Sequence, residues 1–183
     1  MTIVAETSAT VIPTGTWSID PVWSALEFEI DKLGLFTVKV RVPGFTGTIQ
    51  GGESPSITGT VDASTITTFD ETRDAHVQSP DFFDTERYPE LRFESTSVST
   101  YGDDLIVEGD LTIKGVTKLL ELKGSFVGAG VDPYGNDRIG IELAGIVDRT
   151  DFGLNWNAPL PGGRFLLPNQ VVLRANFAAV KAA

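Results

Sequence analysis

Cysteine is absent from the 183 residues, which excludes disulfides, cysteine-ligated zinc, iron–sulfur clusters and thiol catalysis. Histidine occurs once, as His76. A Ser-His-Asp hydrolase would need that ring beside an activated serine, and no Gly-x-Ser-x-Gly elbow occurs. There is no Gly-x-x-x-x-Gly-Lys phosphate loop and no Gly-x-Gly-x-x-Gly after a strand. Basic residues are few, 14 Lys and Arg against 25 Asp and Glu, a net charge of −11. That balance opposes nucleic-acid binding and docking on anionic membranes. No apolar run approaches the roughly 20 residues of a membrane helix, so no stable membrane insertion is expected. Met1 to Glu6 carry neither the basic region nor the apolar stretch of a signal peptide, which predicts a cytoplasmic protein.

Short alternating segments rich in Val, Ile, Thr and Phe are present from Gly15 onward, separated by Gly, Pro, Asn and Asp. Leu26, Phe28 and Ile30 alternate with Glu27, Glu29 and Asp31, a half-buried strand of period two. Val38, Val40 and Val42 repeat the pattern, and Phe45, Gly47 and Ile49 resume after Pro43-Gly44. Ile57 to Ala63, Leu91 to Ser99, Leu105 to Ile113, Lys118 to Val127, Ile139 to Val147 and Val171 to Val180 read as further strands. Residues 1–14 read as an N-terminal arm, with an early strand allowed at Thr10 to Ile12, and 15–183 as one domain. Eight to nine strands suit a closed antiparallel barrel able to enclose a ligand; a two-sheet sandwich is the structural alternative.

Two segments break the rhythm. In the first, Asp70 starts a helix as its cap, and Ser79-Pro80 starts a second short one. It gathers Arg73, Asp74, His76, Phe82 and Phe83. Either Arg73 pairs with neighbouring loops while the phenylalanines cap the barrel, or Arg73 and His76 hold the polar head of a ligand at the cavity mouth. In the second, Asp148-Arg149-Thr150-Asp151-Phe152-Gly153 ends an apolar strand. Arg149 is there either a staple for the turn or another head contact.

The ordered series Ile19-Asp20-Pro21, Arg73-Asp74-Ala75-His76, Ser79-Pro80-Asp81-Phe82-Phe83-Asp84, Tyr88-Pro89-Glu90-Leu91-Arg92-Phe93, Gly109-Asp110-Leu111-Thr112-Ile113-Lys114-Gly115 and Arg149-Thr150-Asp151-Phe152-Gly153 resembles the YceI family of lipocalin-like bacterial proteins. The likeness runs from about Gly15 to Val180. It implies an all-β fold, an extended antiparallel eight-stranded lipocalin-like barrel with one or two short helices inserted. It also implies non-catalytic binding of a polyisoprenoid, an isoprenoid quinone or a similar amphiphilic lipid in an apolar cavity. Two departures stand out. Trp23-Ser24 replaces a His-Ser pair common in the family, and a second family histidine is replaced around Asp31-Lys32.

On this reading Arg73, His76 and Arg149 are the polar-head candidates. Phe28, Val40, Phe45, Val61 and Phe82 are apolar cavity candidates, as are Phe93, Val107, Phe126 and Ile146. No catalytic residue, metal or cofactor is expected beyond a bound lipid. Strand edges allow a homodimer, although a closed barrel has none to offer. Two other readings remain open: an enzyme using His76 and Arg73 as acid–base and anion-binding groups, and a ligand-free structural or stress-related module.

Overall fold

The computed structural model describes residues 12–183. Of the expected strand at Thr10 to Ile12, Thr10 and Val11 lie outside them, and Ile12 is in a bend. Ile12 and Pro13 already belong to the domain: Ile12 is fully buried, and Pro13 accepts a hydrogen bond from the Trp17 indole.

The chain forms β1 (Gly15–Ile19), β2 (Ala25–Lys32), β3 (Phe36–Arg41), β4 (Phe45–Gly51), β5 (Ser56–Asp62), α1 (Glu71–Gln78), β6 (Glu90–Tyr101), β7 (Asp104–Ile113), β8 (Val116–Val131), β9 (Asp137–Asp148) and β10 (Gln170–Lys181). All pairings are antiparallel, and β10 closes the sheet by pairing with both β1 and β2. β1 and β2 are therefore one long strand broken at Asp20 to Ser24, and β3 and β4 another broken at Val42 to Gly44. Counted so, the molecule is an eight-stranded closed barrel. Closure satisfies the backbone groups that an open sheet would expose.

Alternation decides the core. Leu105, Val107, Gly109, Leu111 and Ile113 all point inward from β7, and Leu120 and Leu122 from β8. Gly109 has a specific reason to lack a side chain: a Cβ there would lie 2.5 Å from Cζ of Phe93. The Phe93 ring takes that space.

Helix α1 begins as expected, with the Asp70 carboxylate accepting from the Arg73 amide. The second helix does not form. Ser79 ends α1 instead, its amide and hydroxyl both donating to the His76 carbonyl. Residues 80–83 and 85–87 are turns, anchored where the Phe82 and Asp84 amides donate to Ser79 O and the Phe83 amide to Val77 O. Ser-Pro can open a helix or follow one, and here the preceding helix takes the serine. α1 and these turns connect β5 to β6 and lay Val77, Phe82 and Phe83 against the core.

Candidate ligand cavity

The interior holds two apolar spaces. The larger, about 230 Å³, lies at the end where β9 runs out and β10 begins. We call it the rim chamber. Its walls come from the β2–β3 hairpin, α1 and its turns, and the loop leading into β10. The smaller, about 90 Å³, lies among β4, β5, β6 and the inner faces of β8 to β10, and we call it the barrel chamber.

The rim chamber is apolar except for a few polar groups, and its charged ones share one sign. Among the described residues Lys32, Arg73 and Arg149 line it, with His76 and Thr68, and no carboxylate does. In a chain of net charge −11 this is a local reversal.

Arg149 is 5% exposed. Asp148 caps the 3₁₀ turn that follows β9, accepting from the Thr150 amide and hydroxyl, and Gly153 ends it with φ of 77°. That turn sends the Arg149 guanidinium under the long loop. Nε donates to Pro168 O at 2.9 Å, and Nη1 to Leu154 O and Trp156 O at 2.6 and 2.9 Å. Three of five N–H groups are thereby used. The two on Nη2 have no protein acceptor among the described residues, and the side chain lines the cavity. Burial pulls the Arg149 pKa below its ordinary value, and the nearby Asp148 charge only partly opposes this.

Arg73 is exposed at the rim, where Nε and Nη2 donate to Thr68 Oγ1 and O. Asp74 holds the same loop, accepting from Thr67 and Thr68. Burial works against its charge, but these hydrogen bonds keep its pKa below the ordinary value. His76 contacts Asp81 through Nε2 at 2.8 Å, and its ring meets Phe82 and Trp156 edge-on.

Among the apolar candidates, Phe28, Val40 and Phe82 line the rim chamber, and Phe28, Phe45, Val61 and Phe93 the barrel chamber. Val107 is fully buried in the core and lines neither, and Phe126 is half-buried beside a β-bulge in β8. Ile146 is misassigned: it is 61% exposed on the outer face, and Val147 lines the cavity. Ile139, Ile141 and Leu143 fix the inward parity of β9, and 147 continues it. Sequence reasoning also missed Lys32 and Trp156. Lys32 was available, because it continues the inward series Phe28, Ile30 by two residues. Trp156 sits in a loop without period, where no such signal exists.

Trp23, which stands where the family commonly has histidine, lines neither chamber. Its ring lies under Arg138, 4.0 Å from the guanidinium carbon. Arg138 also donates to Asp132 at 2.6 Å and to Asp20 at 3.0 Å. This cluster ties the start of β9 to the break between β1 and β2.

A family model for the YceI-like domain matches residues 17–179. Protein YceI of Escherichia coli O17:K52:H18 is 36% identical over 133 residues, which cover 70% of each chain. UPF0312 protein plu2095 of Photorhabdus laumondii is 39% identical over 137 residues, covering 73% of this chain and 70% of that one. Among solved structures, BcnA of Burkholderia cenocepacia superposes with a TM-score of 0.76 at 16% identity, over 87% of this chain and 98% of its own. A polyisoprenoid binding domain from Saccharophagus degradans, implicated in plant cell wall breakdown, gives 0.67 at 15%, over 91% and 98%. At such identities the structural likeness speaks for the fold.

Proposed function

Since the chain belongs to the YceI family, we propose that it binds a single-chain amphiphilic lipid of the isoprenoid kind, with an anionic head and without catalysis. One observation carries the reading: Lys32, Arg73 and Arg149 line an otherwise apolar chamber that no carboxylate lines. A polyisoprenoid binding domain among the structural neighbours supports the ligand class.

The magnitudes explain why both parts of the ligand matter. A space of about 230 Å³ takes about eight water-sized groups. At roughly 0.8 kcal/mol per methylene, burying such a chain yields about 6 kcal/mol. Association costs about 4 to 15 kcal/mol before any contact is counted. Chain burial alone is therefore marginal, and charge-assisted hydrogen bonds to the head, about 1.5–3 kcal/mol each, decide whether binding is measurable. Arg149 supplies two free N–H groups, both on Nη2, as charge-assisted donors to a head.

Catalysis finds little support in the same geometry. His76 is held at Nε2 by Asp81 and packs edge-on against Phe82 and Trp156, and no hydroxyl or other nucleophile is hydrogen-bonded to its Nδ1 among the described residues.

Mass spectrometry of lipid extracted from the purified protein identifies a retained ligand. Titration then compares a prenyl phosphate with the uncharged prenyl alcohol of equal length. The phosphate should bind roughly ten- to a hundredfold tighter. Equal affinities would overturn the anionic head and favour a neutral one such as a quinone.

A further inference from the structure

The two chambers meet at one side chain. Among the described residues Phe28 is the single one that lines both. It sits mid-strand in β2, opposite Val40 on β3 and Leu173 on β10, and is 8% exposed. Its ring is backed by Phe83, 6.4 Å away between centroids, and Phe83 belongs to the rim chamber alone. We propose that Phe28 is a partition that sets the length of chain the protein accepts. The proposal rests on the lipid-binding reading above and adds to it the residue that limits the ligand.

The charges give the direction. Three cations line the rim chamber, whereas the barrel chamber has only Arg92, whose Nε and Nη2 already donate to Glu90. An anionic head therefore stays at the rim and its tail points toward Phe28. The rim chamber takes about eight water-sized groups and the barrel chamber about three more. Even together they only reach the lower end of the range for small-molecule pockets, about 300–1,000 Å³. The ring decides whether the second space is reachable.

The test uses saturated fatty acids of graded length, from about six to about sixteen carbons, spanning the chain that the rim chamber holds. Affinity is read by calorimetric titration of the full chain. In the wild type each added methylene should tighten binding about fourfold, the conversion of about 0.8 kcal/mol, until the tail meets the ring. Beyond about eight carbons the gain should stop. Phe28→Ala should move that break outward by three or more carbons, because it adds the barrel chamber and the volume of the ring. Phe28→Leu keeps the core filled and guards against a variant that does not fold; it should move the break by an intermediate amount.

A wild-type series that climbs through sixteen carbons without a break would overturn the partition. So would breaks at one length in the wild type and both variants. If no fatty acid binds the wild type, the lipid reading itself fails, and the partition falls with it.

Discussion

Two arginines stand at opposite ends of β9, separated by eleven residues and roughly 35 Å of strand. Arg138 is matched in charge: the carboxylates of Asp132 and Asp20 and the Trp23 face surround it. Its hydrogen bonds to Asp132 and then to Asp20 raise its pKa. Arg149 is more deeply enclosed and has only backbone carbonyls for hydrogen-bond partners among the described residues, and desolvation lowers its pKa. Removing a charge from water costs several kcal/mol unless a counter-charge offsets it. At one end the protein provides the counter-charge itself. At the other it leaves part of the cation unmatched beside a cavity, the arrangement expected where a ligand supplies the rest.

If that contrast is right, the largest loss of stability comes from Arg138→Met. It strands the Asp132 carboxylate, whose side chain is 1% exposed. The melting temperature should fall by on the order of 10 °C. A fall no greater than that of a surface substitution would dissolve the contrast.

Arg149→Met should act mainly on binding. Affinity for a prenyl phosphate should drop about ten- to a hundredfold, while the uncharged alcohol changes little. The melting temperature falls too, since three loop carbonyls lose their donor. Arg149→Lys restores the charge without the fork, and should recover only part of the phosphate affinity. If both ligands weaken equally in Arg149→Met, the residue merely holds the loop.

Acid separates the ends further. Burial opposes the charge on Asp132, but hydrogen bonds from Arg138 and Asn136 hold its pKa well below the ordinary 3.8. The Arg138 hydrogen bond likewise lowers Asp20. A depressed carboxylate contributes stability that is full above its unfolded pKa and lost as pH falls toward the folded one. Melting temperature should therefore decline below about pH 4, and Arg138→Met should flatten that decline. Parallel acid limbs in the two proteins would remove Arg138 as the cause.

His76→Phe should do least. The His76–Asp81 pair is half-exposed, and such pairs contribute about 0–1 kcal/mol, at most about 4 °C here. Phosphate affinity should stay within about twofold of the wild type. A tenfold loss would place the imidazole on the ligand head.

What the sequence could disclose follows the periods that folding imposes. β7 was legible because one face is buried and the other wet, so each inward position is apolar or glycine. β9 misled at its end, where Ile146 and Val147 are both apolar and only the parity from Ile139 separates them. The breaks at Asp20 to Ser24 and Val42 to Gly44 showed as interruptions, but pairing alone reveals that the pieces are single strands. Arg73 and Arg149 were visible as unusual residues. Their different burial was not, because it depends on a loop that folds back from Gly153 to Asn169.

Closure by β10 also sets the timetable of folding. The Ser24 hydroxyl donates to the Ala178 carbonyl and accepts from the Ala178 amide, partners 154 residues apart in the chain. The strand bearing Phe28 gains its second neighbour only when the last strand arrives. Contacts this distant demand loop closure before they give anything back, so refolding belongs to the millisecond-to-second regime of all-β topologies. During synthesis, β1 and β2 wait half-paired until β10 has been made. The wall that carries Phe28 is thus completed only when β10 pairs with β2.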